Sequence, residues 1–175
     1  MCMRASSVIT LLVASLITAI PLLAQLQDND VHYDVGIVYY SDGNAFKALD
    51  KETAPQSGRK NYSARVKGAH AVVRLRADQP QVFRVCGVDP SRFKLFRFKS
   101  ENNARTVTIM KNNVWIGGGK SVLSESEIPV KIQTAESGCF TLTPRETLAD
   151  GEFGFSPVEA LDAFMFGVGD IQQSR

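Results

Sequence analysis

An all-β fold, an antiparallel β-sandwich of immunoglobulin-like type or a closely related barrel, follows from three features of this 175-residue chain. Apolar residues recur with period two along most of it, clusters of turn formers separate the alternating runs, and long amphipathic helical stretches are missing between them. Only residues 45–52 and 157–163 are compatible with a couple of helical turns.

The elements follow in order. Val31, Tyr33, Val35, Ile37 and Tyr39 alternate up to Ser41-Asp42-Gly43-Asn44, a hairpin signal, and Ala45 to Leu49 form the returning strand. Residues Thr53 to Tyr62 are rich in turn formers and read as a surface loop. From Gly68 to Arg76, Ala69, Ala71, Val73 and Leu75 share one face and His70, Val72, Arg74 and Arg76 the other, the pattern of a half-buried strand. Gln81 to Val88 is extended and ends at Asp89-Pro90. Phe93 and Leu95 alternate with Lys94, Phe96 and Phe98, so this segment carries large apolar groups on both faces and is covered on both sides. Val107 and Ile109 mark another strand, and further ones are expected at Ile128 to Thr134, Cys139 to Thr143, Glu152 to Phe155 and Ala163 to Val168.

The N-terminus predicts export. Arg4 supplies a positive start, Val8 to Ala24 an apolar run, and Leu22 and Ala24 the end of a signal peptide over residues 1–24, with cleavage after Ala24. Leu22 is bulkier than an ideal cleavage site prefers, which keeps retention as an N-terminal membrane anchor as the alternative. Pro21 interrupts the run before the roughly 20 apolar residues that a spanning helix wants. Cys2 precedes the apolar run, so no cysteine stands at the cut to take a lipid. Residues 25–175 then form a single domain without a transmembrane span, long enough to bury about 70% of its unfolded surface. The expected location is secreted or periplasmic.

Two cysteines remain in that domain, Cys86 and Cys139. In an oxidising compartment they pair if the fold brings their Cα atoms within about 7 Å, and otherwise serve as small buried apolar groups.

Charge is nearly balanced at +2 but uneven. Residues 25–58 hold two Lys and six acids, residues 59–105 twelve Lys or Arg and three acids, and residues 106–175 five and nine. A basic middle can meet anionic glycan or lipid headgroups, and it can equally be the solvent face of a sheet neutralised by its acidic flanks. The residues singled out for binding are Arg74, Arg76, Lys94, Trp115 and Lys120. No nucleic acid partner is expected.

The Leu148-Ala-Asp150-Gly151-Glu152-Phe153 stretch resembles the corner before a late strand in immunoglobulin-like and fibronectin-type sandwiches, where a leucine plugs the core, glycine takes the turn and an aromatic packs beneath. Those families usually place tyrosine where this chain has Phe153, and phenylalanine lacks the hydroxyl that ties the corner to backbone. With its leader, N-terminal hairpin and closing Ala163-Phe-Met-Phe166-Gly-Val168, the chain also resembles small exported bacterial proteins of unassigned function. Neither resemblance supplies catalytic residues, because sandwiches host unrelated functions.

Chemical motifs are sparse. Gly117-Gly118-Gly119-Lys120-Ser121 ends like a phosphate-binding loop, but Val114 occupies the place of its first glycine, so a glycine-rich hairpin tip is the better reading. Trp115 beside it either stacks on a ligand or closes one end of the sandwich. His32 and His70 stand alone in strand patterns, without metal-ligand spacing, and no G-x-S-x-G elbow accompanies them. No cofactor is implied. Glu125, Glu127, Glu146 and Asp150 read as solvated loop carboxylates, while Glu152, between Gly151 and Phe153, is suited to accepting backbone hydrogen bonds as a structural group.

These readings favour an exported, non-enzymatic binding or assembly protein whose partner is an envelope or surface protein or an anionic glycan or lipid. The alternative is a small secreted hydrolase or carbohydrate-binding module, for which a pocket joining Trp115 with His70 or Glu127 is the distinguishing observation.

Overall fold

The computed structural model describes residues 32–57, 61–113, 120–123, 126–157 and 161–170. Residues 1–24, expected to be a signal peptide, together with Trp115 and Gly117 to Gly119, lie outside them. The described strands are β1 (Val38–Ser41), β2 (Phe46–Ala48), β3 (Lys51–Thr53), β4 (Gln56–Ser57), β5 (Asn61–Lys67), β6 (Arg74–Leu75), β7 (Phe83–Cys86), β8 (Phe93–Glu101) and β9 (Ala104–Asn113). They continue with β10 (Lys120–Leu123), β11 (Glu127–Ile128), β12 (Val130–Thr134), β13 (Cys139–Pro144), β14 (Gly151–Pro157) and β15 (Asp162–Val168). Among the described residues the one helical element is a 3-10 turn at Pro90–Arg92, capped by the Asp89 side chain accepting from the Ser91 N–H.

The architecture is all-β and built from two sheets. The smaller has the order β12-β13-β7-β1-β2 and the larger β3-β15-β14-β8-β9-β5-β4, with β10 beside β9, β11 beside β8 and β6 beside β15. Named strands pair antiparallel except β6, which runs parallel to β15. The first and last strands of the larger sheet, β3 and β4, are joined by Ala54 and Pro55 alone. The sheet therefore curls until its two edges meet in one continuous piece of chain, with Pro55 at the bend.

Curling gives the larger sheet two apolar faces. Phe93 and Leu95 of β8, Phe153 and Phe155 of β14 and Phe164, Phe166 and Val168 of β15 face the smaller sheet and pack on Val38, Phe83, Val85 and Leu142. The alternate residues Phe96 and Phe98, with Ala163 and Met165, enter the concave side beside Ala54, Ala64, Val66, Val107 and Ala71. Small side chains dominate there because the curl leaves little radius. Phe83 contacts Phe155 and Phe166 with ring centroids 4.8 Å apart in both cases, which ties the two sheets together. The covering of β8 on both sides agrees with its sequence pattern.

Four other expectations need correction. The first described strand begins at Val38, and Tyr33 to Ile37 stay outside it, because Gly36 turns with φ 73° and leaves Val35 71% exposed. Residues 53–62 are not one loop: β3, β4 and the start of β5 use their backbone at the seam of the curled sheet. The strand expected over residues 68–76 shrinks to Arg74–Leu75, since side chains rather than a ladder hold the backbone before it. The single strand expected over residues 128–134 is split at Pro129, with Ile128 pairing Leu95 in the larger sheet and Val130 pairing Pro144 in the smaller. Both weakly helical stretches carry strand or unassigned structure where described.

The hairpin at residues 41–46 forms as its sequence requires. The Asp42 carboxylate accepts from the Asn44 and Ala45 N–H groups at 2.9 Å each and pairs with Lys47 at 2.6 Å. The Lys47 bond, and then those two backbone bonds, hold the Asp42 carboxyl well below the usual carboxylate range. A depressed carboxyl contributes above its unfolded pKa, and the contribution is lost as pH falls through the folded one. The Asn44 and Ala45 amide resonances should therefore stay put as pH falls through about 4, the ordinary aspartate value, and move only in stronger acid. Lys47→Met should bring that titration back upward, which a two-dimensional NMR titration will read.

Candidate functional site

The segment from Lys67 to Arg76 crosses one end of the curled sheet and is held by side chains from three strands. Arg105 of β9 is 1% exposed, donates to the carbonyls of Lys67 and Gly68 at 2.9 and 3.0 Å, and grips the Glu52 carboxylate of β3 at 2.7 and 3.1 Å. Ser100 of β8 donates its hydroxyl to the Ala69 carbonyl at 2.5 Å. Glu152 of β14, 5% exposed, accepts from the Ala71 N–H at 2.8 Å.

Glu152 is also the centre of a charged cluster. Its Oε1 receives Nη1 of Arg74 and lies 3.2 Å from Nδ1 of His70. Arg74 further donates to the carbonyls of Val168 and Gly169 at 2.7 to 3.0 Å. Its guanidinium sits against Gly167, where an added Cβ would fall 1.8 Å from Nη1. Two residues on, Gly169 turns with φ 77° and the Asp150 carboxylate presses on it, an added Cβ falling 2.3 Å from Oδ1. Gly167 and Gly169 thus clear the end of β15 for an arginine and an aspartate, and the Gly-Val-Gly sequence is the mark this leaves in the chain.

A hollow of about 320 Å³ opens over this cluster, lined by His70, Arg74, Arg97, Ser100, Asp150, Glu152 and Asp170. Arg97 stands at its edge, donating to the Asp150 carbonyl at 2.9 Å with its guanidinium 5.7 Å from the Phe153 ring centre. Beyond Arg97 a second recess of about 490 Å³ runs between Lys99, Ser126, Glu146 and Leu148. The two recesses share Arg97 and Phe98 and meet at Arg97, beside the 148–153 corner.

Of the residues singled out from sequence, Arg74 enters this site, as a structural donor as well as a lining group. Arg76 turns away to Asp78, with two bonds of 2.9 and 2.6 Å that lower the Asp78 carboxyl below its ordinary range. Lys94 faces Glu127 at 3.7 Å in a different recess. Lys120 lies on β10, with Trp115 beyond the described residues. The basic middle is divided among separate partners: Arg84, for example, stacks 4.1 Å from the Phe46 ring centre and donates to the Tyr33 hydroxyl at 2.8 Å.

His70 and Glu152 were each visible in the sequence, but their meeting was not, because 82 residues separate them. Glu52 and Arg105 gave no sign at all beyond charge. Cys86 and Cys139 face each other on β7 and β13, with Cα atoms 4.0 Å apart and a disulfide between them. Among the described residues no three histidine, cysteine or acidic side chains are grouped to hold a metal ion, and no helix is long and apolar enough to cross a membrane. No protein family, curated protein or solved structure matches the chain.

Proposed function

We propose that this is an exported, non-enzymatic binding or assembly protein, which presents the paired recesses on either side of Arg97 to its partner. The observation that carries this reading is the saturation of the polar groups beneath the hollow. Glu152 accepts from Arg74 and from the Ala71 N–H beside His70, and Arg74 spends Nε and Nη2 on backbone carbonyls. A general base has to give up its partners to take a proton from substrate. A carboxylate fixed in this way acts instead as a strut that keeps a recess open and its rim rigid, as docking requires. The Cys86–Cys139 disulfide supports an oxidising location, in line with the apolar N-terminal run. The immunoglobulin-like kinship belongs to the same proposal, supported by Leu148 and Phe153 both entering the core at the corner.

A hydrolase is the second reading, favoured by one observation: Ser100, His70 and Glu152 line the same hollow. Against it, Ser100 gives its proton to the Ala69 carbonyl and Arg74 neutralises Glu152. Nitrophenyl ester assays on the wild type and Ser100→Ala separate the two. Equal, background rates are expected, and turnover that disappears with Ser100→Ala overturns the binding reading. NMR shift mapping with heparin oligosaccharides then tests the anionic class of ligand, for which salt-sensitive shifts at His70, Arg97 and Lys99 are the expected result.

A further inference from the structure

The smaller sheet ends on β12, whose outer side meets no other strand among the described residues. Its hydrogen-bonding phase is fixed by two bonds flanking it, from the Arg145 N–H to the Pro129 carbonyl and from the Ala135 N–H to the Cys139 carbonyl, both 2.9 Å. Antiparallel ladders alternate, so Lys131 and Gln133 share the phase of residues 129 and 135 and direct their backbone groups toward β13. The N–H and C=O groups of Val130, Ile132 and Thr134 consequently point outward. Natural edges are normally blunted by charge, proline or shortness. This one carries five residues and a single lysine.

The side chains follow a second alternation. Ile132 lies opposite Leu142, which is fully buried, and so faces the core side of the sheet, yet it remains 40% exposed at the end of the layer, where no described strand lies beyond β12. Lys131 and Gln133 lie on the solvent side, opposite Thr143 and Thr141.

We propose that β12 pairs with β12 of a second copy of this chain, antiparallel about a two-fold axis through Ile132. That axis sets Ile132 against Ile132, Val130 against Thr134 and Lys131 against Gln133. All six outward backbone groups of each strand are then bonded, since 130, 132 and 134 are the residues with free groups and they pair among themselves. The exposed Ile132 side chains cover each other. Lys131 meets a neutral glutamine rather than its own copy, so the register avoids the like-charge pair that would oppose self-association. The two smaller sheets become one of ten strands, and the interface leaves the recesses on either side of Arg97 free for another partner. Closed two-fold pairing of this kind also consumes the edge instead of propagating into a fibre.

Sedimentation equilibrium of the protein purified from full-length expression tests this. A dimer is expected, and the charge at position 133 should tune it in both directions, because each partner's Lys131 sits opposite. Gln133→Glu should tighten the dimer and Gln133→Lys weaken it, each by about fivefold for two cross-strand charge pairs. Ile132→Pro removes only an outward N–H, which leaves the β13 ladder intact and should yield monomer. A monomeric wild type overturns the proposal in favour of an unlike strand as the occupant of the edge. A dimer whose affinity is the same in both Gln133 variants overturns it in favour of another interface.

Discussion

Glu152→Ala is expected to lower the unfolding free energy by about 3 to 5 kcal/mol, the cost of leaving a mostly buried charge without its partner. The alanine removes the carboxylate that receives the Arg74 guanidinium and at the same time orphans the Ala71 N–H. Only 21% of the Arg74 side chain reaches solvent, so water cannot fully replace what is lost. Against a typical total stability of about 5 to 15 kcal/mol, this is a large share. Urea unfolding followed by tryptophan fluorescence or circular dichroism gives the midpoint. Glu152→Gln, which keeps the shape and one acceptor, should fall between wild type and alanine. A loss below about 1 kcal/mol for the alanine variant would mean that Glu152 does not anchor the 67–76 segment, and the role of the hollow would have to be rethought.

The second large effect is expected from the disulfide. Cys86 and Cys139 close a loop spanning 53 positions, and the chain-entropy account assigns such a closure about 4 kcal/mol. Reduction, or the double substitution Cys86→Ala with Cys139→Ala, should move the denaturation midpoint down by a corresponding amount while leaving the ladder between β7 and β13 formed. Equal midpoints with and without reductant would show that the bond constrains the unfolded chain little. The disulfide lies in the smaller sheet and Glu152 in the larger, so the two losses should add when the changes are combined.

What could be read from the residues in advance was decided by how local the cause is. Phe93 to Phe98 carries its two-sided burial in its own alternation, and the 41–44 turn carries its own carboxylate, glycine and asparagine. Both therefore have the form that their sequences require. The 68–76 segment misleads for the opposite reason. Its alternating alanines and valines satisfy the strand pattern, but its backbone partners are Arg105, Ser100 and Glu152, contributed from later parts of the chain. β5 is inconspicuous because the curled side of the sheet asks only for Ala64 and Val66, and the rest of Asn61–Lys67 is polar. The hollow was the least legible feature: Arg74 was singled out for its charge and Glu152 for its place in a turn, and only the fold joins them.

The double-sided packing of β8 and β15 has one more consequence. Each contributes alternate side chains to two separate apolar interiors, and β14 between them gives Phe153 and Phe155 to one while its Gly154 lets Met165 and Phe98 close over it in the other, so these three strands form a party wall. Neither room can be emptied while the wall stands unchanged, because loosening one face shifts the backbone that positions the other. The protein should melt as one cooperative unit, with the two sheets failing together.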